Sequence, residues 1–561
     1  MLPALLSFGL PICIIVISLF NANLGAIIVL VFIGITLLRA VRGGVDAIRG
    51  YCALRAAERA DWAAMNEEIE GVLLAGRSAL PLDGRPAAVH RGAIGRRHAA
   101  FLTDAAVARE SYPLPSEVVH AIIVTAYNEP YEVVSSSIEA LSESAIGADR
   151  LVVLLAYEER GGEQMRATAE RLERDYGYRF RAFELVEHPA DLPNEIPGKG
   201  ANLTYAGRRL HEWLAEHGVD ERLVVVTSLD CDNRPHPRYF DAVTYEFVRA
   251  TDRERASFQP ISLFVNNIWH AQAPMRIIAA GNSLWNLIAT VRPFSLRNFA
   301  SHAQPMAALV SMDYWSRRTI VEDGHQFWRS YFHFRGRYRV VPVRVPIYQD
   351  AVLTEKFSRT LKTQFTQLSR WAYGASDVPY VGVRVLSRRR VVPFWRSLLH
   401  FALLIESHVS LASIAPLVLI GAWIPLLVSK AVFWLQSILF PVTIHGHYGS
   451  ALLSRRPGVP TGLVADLPGI VDFIQRLATP GLIITVVVTL LLLPARPREF
   501  GRGRSFGMIA QWLLLPLTAI GYNAAAAMLA QARLFLGRYR ERFDVTEKAA
   551  LESHDQALTG A

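Results

Sequence analysis

Cysteine is scarce in this chain. Cys13, Cys52 and Cys231 are its only three, they lie far apart, and their spacing fits neither a metal cluster nor an even set of disulfides. That excludes a thiolate metal centre and a disulfide-stapled secreted scaffold, and it predicts a reduced, cytosolic catalytic face. Nucleic-acid motifs are also lacking, although the net charge is +9. The arginines instead gather beside apolar runs, as at Arg39 and Arg42, so anionic lipid headgroups are the expected partner and nucleic acid is not. No basic n-region precedes the first apolar stretch, so a cleaved signal peptide is not expected.

Apolar residues, in contrast, are plentiful. They make up 51% of 561 residues, the mean hydropathy is +0.21, and the excess is gathered toward the two ends. Such a length exceeds one core and accommodates a catalytic domain plus a membrane region. Leu5–Phe20 and Leu24–Leu38, separated by Asn21 to Asn23, predict a transmembrane hairpin over residues 1–41. Arg39, Arg42, Arg49, Arg55 and Arg59 follow, which by the positive-inside rule leaves the next segment in the cytosol. Residues 42–115 read as a cytosolic helical linker, with Leu80–Arg97 rich in Gly, Pro and Arg.

From Val118 the pattern becomes short β-branched runs alternating with helical stretches. This is the mark of an α/β domain with a mostly parallel sheet, assigned to residues 116–350. The strand Val118–Thr125 ends in Tyr127-Asn128-Glu129, where ligands of such folds bind, and Leu151–Ala156 runs into Tyr157-Glu158-Glu159-Arg160. Gly198-Lys199-Gly200-Ala201-Asn202 is a glycine turn opening a helix, which suits a diphosphate and equally suits a plain turn. Leu223–Ser228 delivers Asp230-Cys231-Asp232. In extended backbone two carboxylates at i and i+2 converge, which suits a hard divalent cation; the alternative is a solvated acidic loop.

Asn266, Asn267, Trp269, Asn282, Trp285 and Arg292 read as an acceptor groove or as packing between domain and membrane. Glu322 and Asp323 stand just before a predicted helix, Gln326–Arg335, either as an N-cap pair or with Asp323 as a general base for an acceptor hydroxyl. His325 reads as packing or capping. In Thr354 to Asp377, Gln367, Arg370 and Trp371 recur at i, i+3, i+4, which puts an amide, a cation and an indole on one helical face. Such a face can clamp a pyrophosphate and stack on a sugar, or it can anchor an interfacial helix, and residues 351–395 are assigned to interfacial helices.

The second membrane region covers residues 396–495. His400–Val428 is long enough for a tilted span kinked at Pro416, with Glu406 and His408 serving a polymer channel or a helix–helix hydrogen bond. Ala431–Val442 is short and reads as interfacial or re-entrant, and Leu477–Leu493 is a clear span. Residues 496–561 read as an interfacial helix, Phe506–Leu529 broken at Pro516, followed by a basic tail. Four crossings with both termini cytosolic are expected, and six remain open.

Taken in order, strand-Tyr-Asn-Glu, Gly-Lys-Gly-x-Asn, Asp-x-Asp, Glu-Asp and Gln-x-x-Arg-Trp resemble the family-2 inverting glycosyltransferases of GT-A fold. Within them, the likeness is to membrane-integrated polysaccharide synthases of the cellulose, chitin and hyaluronan type, over Val118 to Trp371. The resemblance implies a GT-A domain inserted between N- and C-terminal transmembrane helices, hexosyl transfer from a UDP-linked or, failing that, GDP-linked sugar, and Mg²⁺ or Mn²⁺. It implies donor contacts from Tyr127, Glu129, Glu158, Lys199, Asp230, Gln367 and Arg370, metal binding by Asp232, catalysis by Asp323 with Glu322, and an acceptor sugar on Trp371.

Phe543-Asp544-Val545-Thr546-Glu547-Lys548 is similar to the gating loop of cellulose synthases, which implies that Thr546 and Lys548 touch the diphosphate; its other reading is an amphipathic tail. The chain departs from the family after the second strand, where Glu158-Glu159 stands in place of paired aspartates. The expected protein is a multi-pass enzyme of the plasma or inner membrane with a polysaccharide acceptor. A ceramide glucosyltransferase-like lipid acceptor and a non-catalytic export component are the alternatives.

Overall fold

The structure, a computed structural model, describes residues 2–76, 92–439 and 462–540. At its centre, β1 (Val119–Ala126) buries all eight of its residues, as its Val and Ile content suits a strand covered on both faces. Parallel to it run β2 (Leu151–Glu158) and, beyond that, β3 (Ala182–His188), with β4 (Val224–Asp230) on the other side. The sheet is completed by β5 (Arg234–Pro235), β6 (Ala256–Phe264), β7 (Ala303–Pro305) and β8 (Arg339–Gln349), in the order β3-β2-β1-β4-β7-β6-β8-β5. β7 pairs antiparallel with β4 and β6, whereas β6 and β8 pair parallel. This is a GT-A-like α/β domain with a largely parallel sheet, as expected. Its register brings Thr125 beside Asp230 and Glu158 beside His188, so four carboxyl ends finish along one edge.

The strands run one or two residues further than their sequence limits. Glu158 is therefore the last residue of β2, and Asp230 the last of β4. Asp232 lies in the turn beyond, so the Asp-x-Asp pair is not displayed from a continuous strand as the i, i+2 argument required. β5 pairs at once with Tyr348 and Ile347 of β8, which pins that turn in place. The helix expected at Gln326–Arg335 begins at Glu322 and ends at His333, so the acidic pair forms its first turn instead of preceding it. Acidic side chains are favoured there by the unpaired N–H groups of the helix start.

Among the described residues five helices are long and apolar enough to cross a membrane: Leu2–Phe20, Ala22–Arg59, Phe394–Ile420, Leu463–Leu491 and Arg502–Phe535. Ala22–Arg59 runs on without a break past residue 41, so the hairpin and the linker share one helix. The span read as His400–Val428 breaks instead at Gly421, and a second helix, Trp423–Leu439, follows it. Leu463–Leu491 starts nearly four turns before the run read as Leu477–Leu493. Part of Ala431–Val442 and all of Phe543 to Lys548, with Thr546 and Lys548, lie outside the described residues.

The last of the five helices starts and ends at the catalytic domain. Near its start, Arg504 donates to the Trp269 carbonyl and Arg276 donates to Gln511 Oε1 at 2.6 Å. At its far end Leu534 packs with Ile320 and Tyr373, and the Arg540 N–H donates to the Tyr373 hydroxyl. Between these ends the α-helix gives way to a 3₁₀ turn at Gln511–Leu514, just before Pro516, and to a π turn at Ala519–Ala524. These breaks reset the helix between its two points of attachment.

Candidate active site

A single cavity of about 1080 Å³ opens along the carboxyl ends of β1, β2 and β4. Tyr127, Glu129, Glu158, Lys199, Asp230, Asp232, Glu322, Asp323, Gln367, Arg370 and Trp371 all line it. The candidate catalytic, donor, metal and acceptor-sugar residues that fall within the described residues are therefore brought to one place, whereas the wider acceptor-groove set is not. The cavity is also lined by Leu404, Ser407, His408 and Leu411 on one face of Phe394–Ile420 and by Trp512, Leu515, Thr518 and Asn523 of the interrupted last helix.

Lys199 is the electrostatic hub. Its ammonium lies 2.7 Å from Asp230 and 3.6 Å from both Glu322 and Asp323, with its side chain 8% exposed. Burial works against its charge, but the three carboxylates outweigh that and hold its pKa above the ordinary lysine value. Glu322 shows the opposite effect: burial, and then repulsion from Asp323, push its carboxyl up to about 8 despite Lys199. Below Asp323 lies His302, whose Nδ1 donates to the Phe299 carbonyl at 2.8 Å and sits 3.7 Å from Asp323 Oδ1. Burial lowers its pKa, so the imidazole beside the acidic pair is neutral.

Gly200 makes this cluster possible. A Cβ there would collide with the Ser316 carbonyl and press on Cβ of Glu322 at 3.1 Å. The second glycine of the Gly-Lys-Gly turn thus lets the helix Lys199–Glu216 approach the segment that carries the acidic pair. In the sequence that turn reads as a diphosphate loop or a plain turn, and neither reading includes this packing role.

At the end of β2, Glu158 is buried and its Oε2 accepts from Arg160 at 2.8 Å and from His188 Nδ1 at 3.1 Å. His188 Nε2 meets Glu195 at 3.0 Å. Burial disfavours its charge, yet the two carboxylates prevail and its pKa is raised. Glu159 turns away from the cavity and accepts the Ala190 N–H. The Arg160 guanidinium stands 5.5 Å from the Tyr127 ring centroid. Glu129 folds back to accept the N–H groups of Tyr127 and Asn128.

The helix carrying Gln367, Arg370 and Trp371 spans Phe357–Ala372, and all three do share its cavity face. Trp371 is 39% exposed, 6.0 Å from the Phe264 ring, and Gln367 Oε1 accepts from Gln364. His325 leaves the site to bond Asp377 through Nδ1 at 2.6 Å. Of the acceptor-groove candidates, Asn282 and Trp285 reach the cavity. Asn267 is spent on the backbone of Ala351, Trp269 on the Pro494 carbonyl and Arg292 on Asp46.

Arg160, Arg297 and His302 were missed in the sequence. Arg160 could have been found from its place one turn beyond a strand end; the other two come from a loop with no motif.

A divalent ion needs oxygen ligands. Asp232 supplies a buried carboxylate at the cavity wall, close to the Asp230 strand end. Among the described residues no three His, Cys, Asp or Glu side chains are grouped to hold a metal alone. The donor set therefore fits an ion that takes one or two carboxylates and completes its shell with phosphate and water, as Mg²⁺ commonly does.

Residues 225–440 match the family model described as glycosyl transferase family group 2. The matched stretch carries Asp230, Asp232, Glu322, Asp323, Gln367, Arg370 and Trp371, and over it the chain is similar to the family-2 glycosyltransferases. No curated protein matches the chain. Solved structures similar to it include a mannosyltransferase of Pyrobaculum calidifontis in complex with GDP-Man and Mn²⁺, at 16% identity and a TM-score of 0.36, over 66% of this chain and 86% of that one. Another is TarS of S. aureus, residues 1–349, in complex with UDP-GlcNAc, at 11% identity and a TM-score of 0.33, over 75% of this chain and 93% of that one.

Proposed function

We propose that the protein is a membrane-integrated inverting glycosyltransferase that moves a sugar from a UDP-linked donor to the end of a growing polysaccharide. The observation that carries this reading is the continuity of the cavity. Lys199, Asp230, Asp232 and Asp323, then Gln367, Arg370 and Trp371, and also Leu404, Ser407, His408 and Leu411 of Phe394–Ile420 all line this one cavity. An acceptor threaded along it would present its terminal hydroxyl to Asp323 while its terminal ring stacks on Trp371.

In the reaction, Asp323 takes the proton of the acceptor hydroxyl as that oxygen bonds the anomeric carbon. The bond from that carbon to the diphosphate oxygen breaks on the opposite face, and the configuration inverts. Arg370 clamps the pyrophosphate, with Gln367 beside it. Asp230 faces the donor while tied to Lys199, which holds the Asp323 and Asp230 carboxylates together against their mutual repulsion. Glu158, with Arg160 and Tyr127, reads the base. Asp232 would hold Mg²⁺ or Mn²⁺, which neutralises charge on the departing diphosphate when bound.

The same contacts support a membrane arrangement in which four helices cross and Arg502–Phe535 lies along the membrane face of the catalytic domain, to which both its ends are tied. Arginines after Ala22–Leu38 and after Leu491 favour the cytosolic side for it. Glu406 pairs with Arg39 of the second helix at 2.6 Å, whereas His408 faces the cavity, which supports a packing role for the first and a path-lining role for the second. Leu404, Leu411 and Leu515 favour a second reading, single transfer to a lipid.

The test is nucleotide release from vesicles holding the full chain, across UDP- and GDP-sugars with Mg²⁺ or Mn²⁺. One donor should release nucleotide and Asp323→Asn should abolish it; a polymeric product supports the first reading and a lipid-extractable single sugar the second. Equal release by Asp323→Asn would sink the mechanism.

A further inference from the structure

One cation in the cavity wall has no counter-ion. Arg297, in the loop before β7, stacks its guanidinium 4.9 Å from the Trp328 ring centroid and lines the cavity, yet it makes no hydrogen bond or ion pair with any described residue. The acidic groups whose field reaches it are Asp377 and Glu406. Both are already engaged, Asp377 by His325 at 2.6 Å and Glu406 by Arg39 at 2.6 Å and by Ser410. The other titratable groups facing it, His400 and His408 of Phe394–Ile420, offer no negative charge. Arginine does not escape by losing its proton at physiological pH. A half-buried guanidinium in a cavity wall with no carboxylate of its own leaves its N–H groups open to an anion that arrives with the ligand.

The surroundings say what carries that anion. Four tryptophans, Trp285, Trp328, Trp371 and Trp512, line the same cavity, and Asn282 and Asn286 stand on the helix that bears Trp285. Indole plates interleaved with amides suit sugar rings and their hydroxyls, whereas an acyl chain is best matched by unbroken aliphatic surface. Arg297 lines the cavity together with Ser407 and His408 of Phe394–Ile420 and is near enough to His408 for its charge to act there, which suits the part of an acceptor behind its reacting end.

We propose that the acceptor is an acidic glycan and that Arg297 binds the carboxylate of a hexuronate unit a short distance behind the sugar stacked on Trp371. This rests on the glycosyltransferase reading above. A planar guanidinium positioned over the Trp328 ring offers two parallel N–H groups, which matches a carboxylate in bidentate fashion. A lipid phosphate shares the charge, and it is separated by experiment.

The full chain in nanodiscs is given hexuronate-containing oligosaccharides and the same oligosaccharides with their carboxyls reduced to alcohols. Binding is read by tryptophan fluorescence, and transfer by nucleotide release. The wild type is expected to favour the acidic form roughly 10- to 100-fold, the value of a charge-assisted hydrogen-bonded pair. Arg297→Gln should bring that ratio near unity, and Arg297→Lys should retain part of it. Equal use of both forms by the wild type, or a ratio that survives Arg297→Gln, overturns the proposal. So does a response of Arg297→Gln to the phosphatidylglycerol content of the disc with the acidic-to-neutral ratio unmoved, which would assign the cation to a lipid phosphate. If no donor releases nucleotide while binding still discriminates through Arg297, the transfer reading fails alone.

Discussion

Replacing Lys199 by methionine keeps the stem and deletes only the charge that three carboxylates share. The side chains of Glu322 and Asp323 are 5% and 20% exposed and would be left repelling each other in a nearly dry site; Asp230, at 35%, is eased by solvent and counts for less. Removing one partner from a buried ionic cluster costs about 3–5 kcal/mol, and with the Asp230 share discounted about 3 kcal/mol is expected. For a domain of this size that lowers Tm by about 6–12 °C. The loss depends on pH. Burial and Asp323 already raise the Glu322 carboxyl to about 8, and Lys199 opposes that rise. Without Lys199 it rises further, and a carboxyl whose folded pKa exceeds its unfolded value loses stability as pH climbs through the interval. The gap between variant and wild type should therefore be smallest near pH 5 and widest near pH 8 to 9. Thermal unfolding in detergent, followed by tryptophan fluorescence at each pH, measures it. A gap that is flat from pH 5 to 9, or smaller than about 2 °C at pH 8, would refute the account of Lys199 as the hub.

Other perturbations address neighbouring parts of the site. Gly200→Ala should destabilise by about 1–3 kcal/mol and depress transfer more than donor binding, since the added methyl pushes on Ser316 and Glu322; separate KM and kcat values decide it. His188→Gln removes a cation whose pKa is raised between Glu158 and Glu195. Its stabilisation is fully present below the ordinary histidine value and lost as pH rises through the raised one, so the variant's Tm deficit should be larger at pH 5.5 than at pH 8.5. Asp232→Asn should raise the Mn²⁺ concentration giving half-maximal nucleotide release by at least about ten-fold; no change would remove Asp232 from the metal reading.

What could be seen in the sequence was whatever depends on near neighbours along the chain. The i, i+3, i+4 spacing of Gln367, Arg370 and Trp371 predicts a shared face, and helical geometry delivers it to the cavity. Strand ends were placed to within two residues because β-branched runs are local. The start of the helix at Glu322 was set four residues late, since an acidic pair without a Ser, Thr, Asp or Asn cap ahead of it reads equally as the turn before a helix. The choice between Glu158 and Glu159 needed the extent of β2, whose last residue faces the cavity while the next turns to the Ala190 N–H. Arg297 and His302 could not be inferred at all. Their roles come from meeting Trp328 and Asp323, which are distant in sequence and share no motif with them. The breaks in Arg502–Phe535 were legible only as Pro516; the contacts that tie its end to Tyr373 are tertiary.

The π turn at Ala519–Ala524 holds one residue more than a regular α turn, and Asn523 within it reaches the cavity. It acts as a spacer that sets the phase between two halves of one helix, the half beginning at Arg502 and the half ending at Phe535. Deleting a single residue inside the π turn would let the segment relax to ordinary α geometry with both halves still facing their partners. The same deletion within Ala525–Phe535 would rotate everything after it by about 100° and carry Leu534 away from Ile320 and Tyr373. Length variation in this helix is therefore tolerated at one turn and forbidden a few residues later.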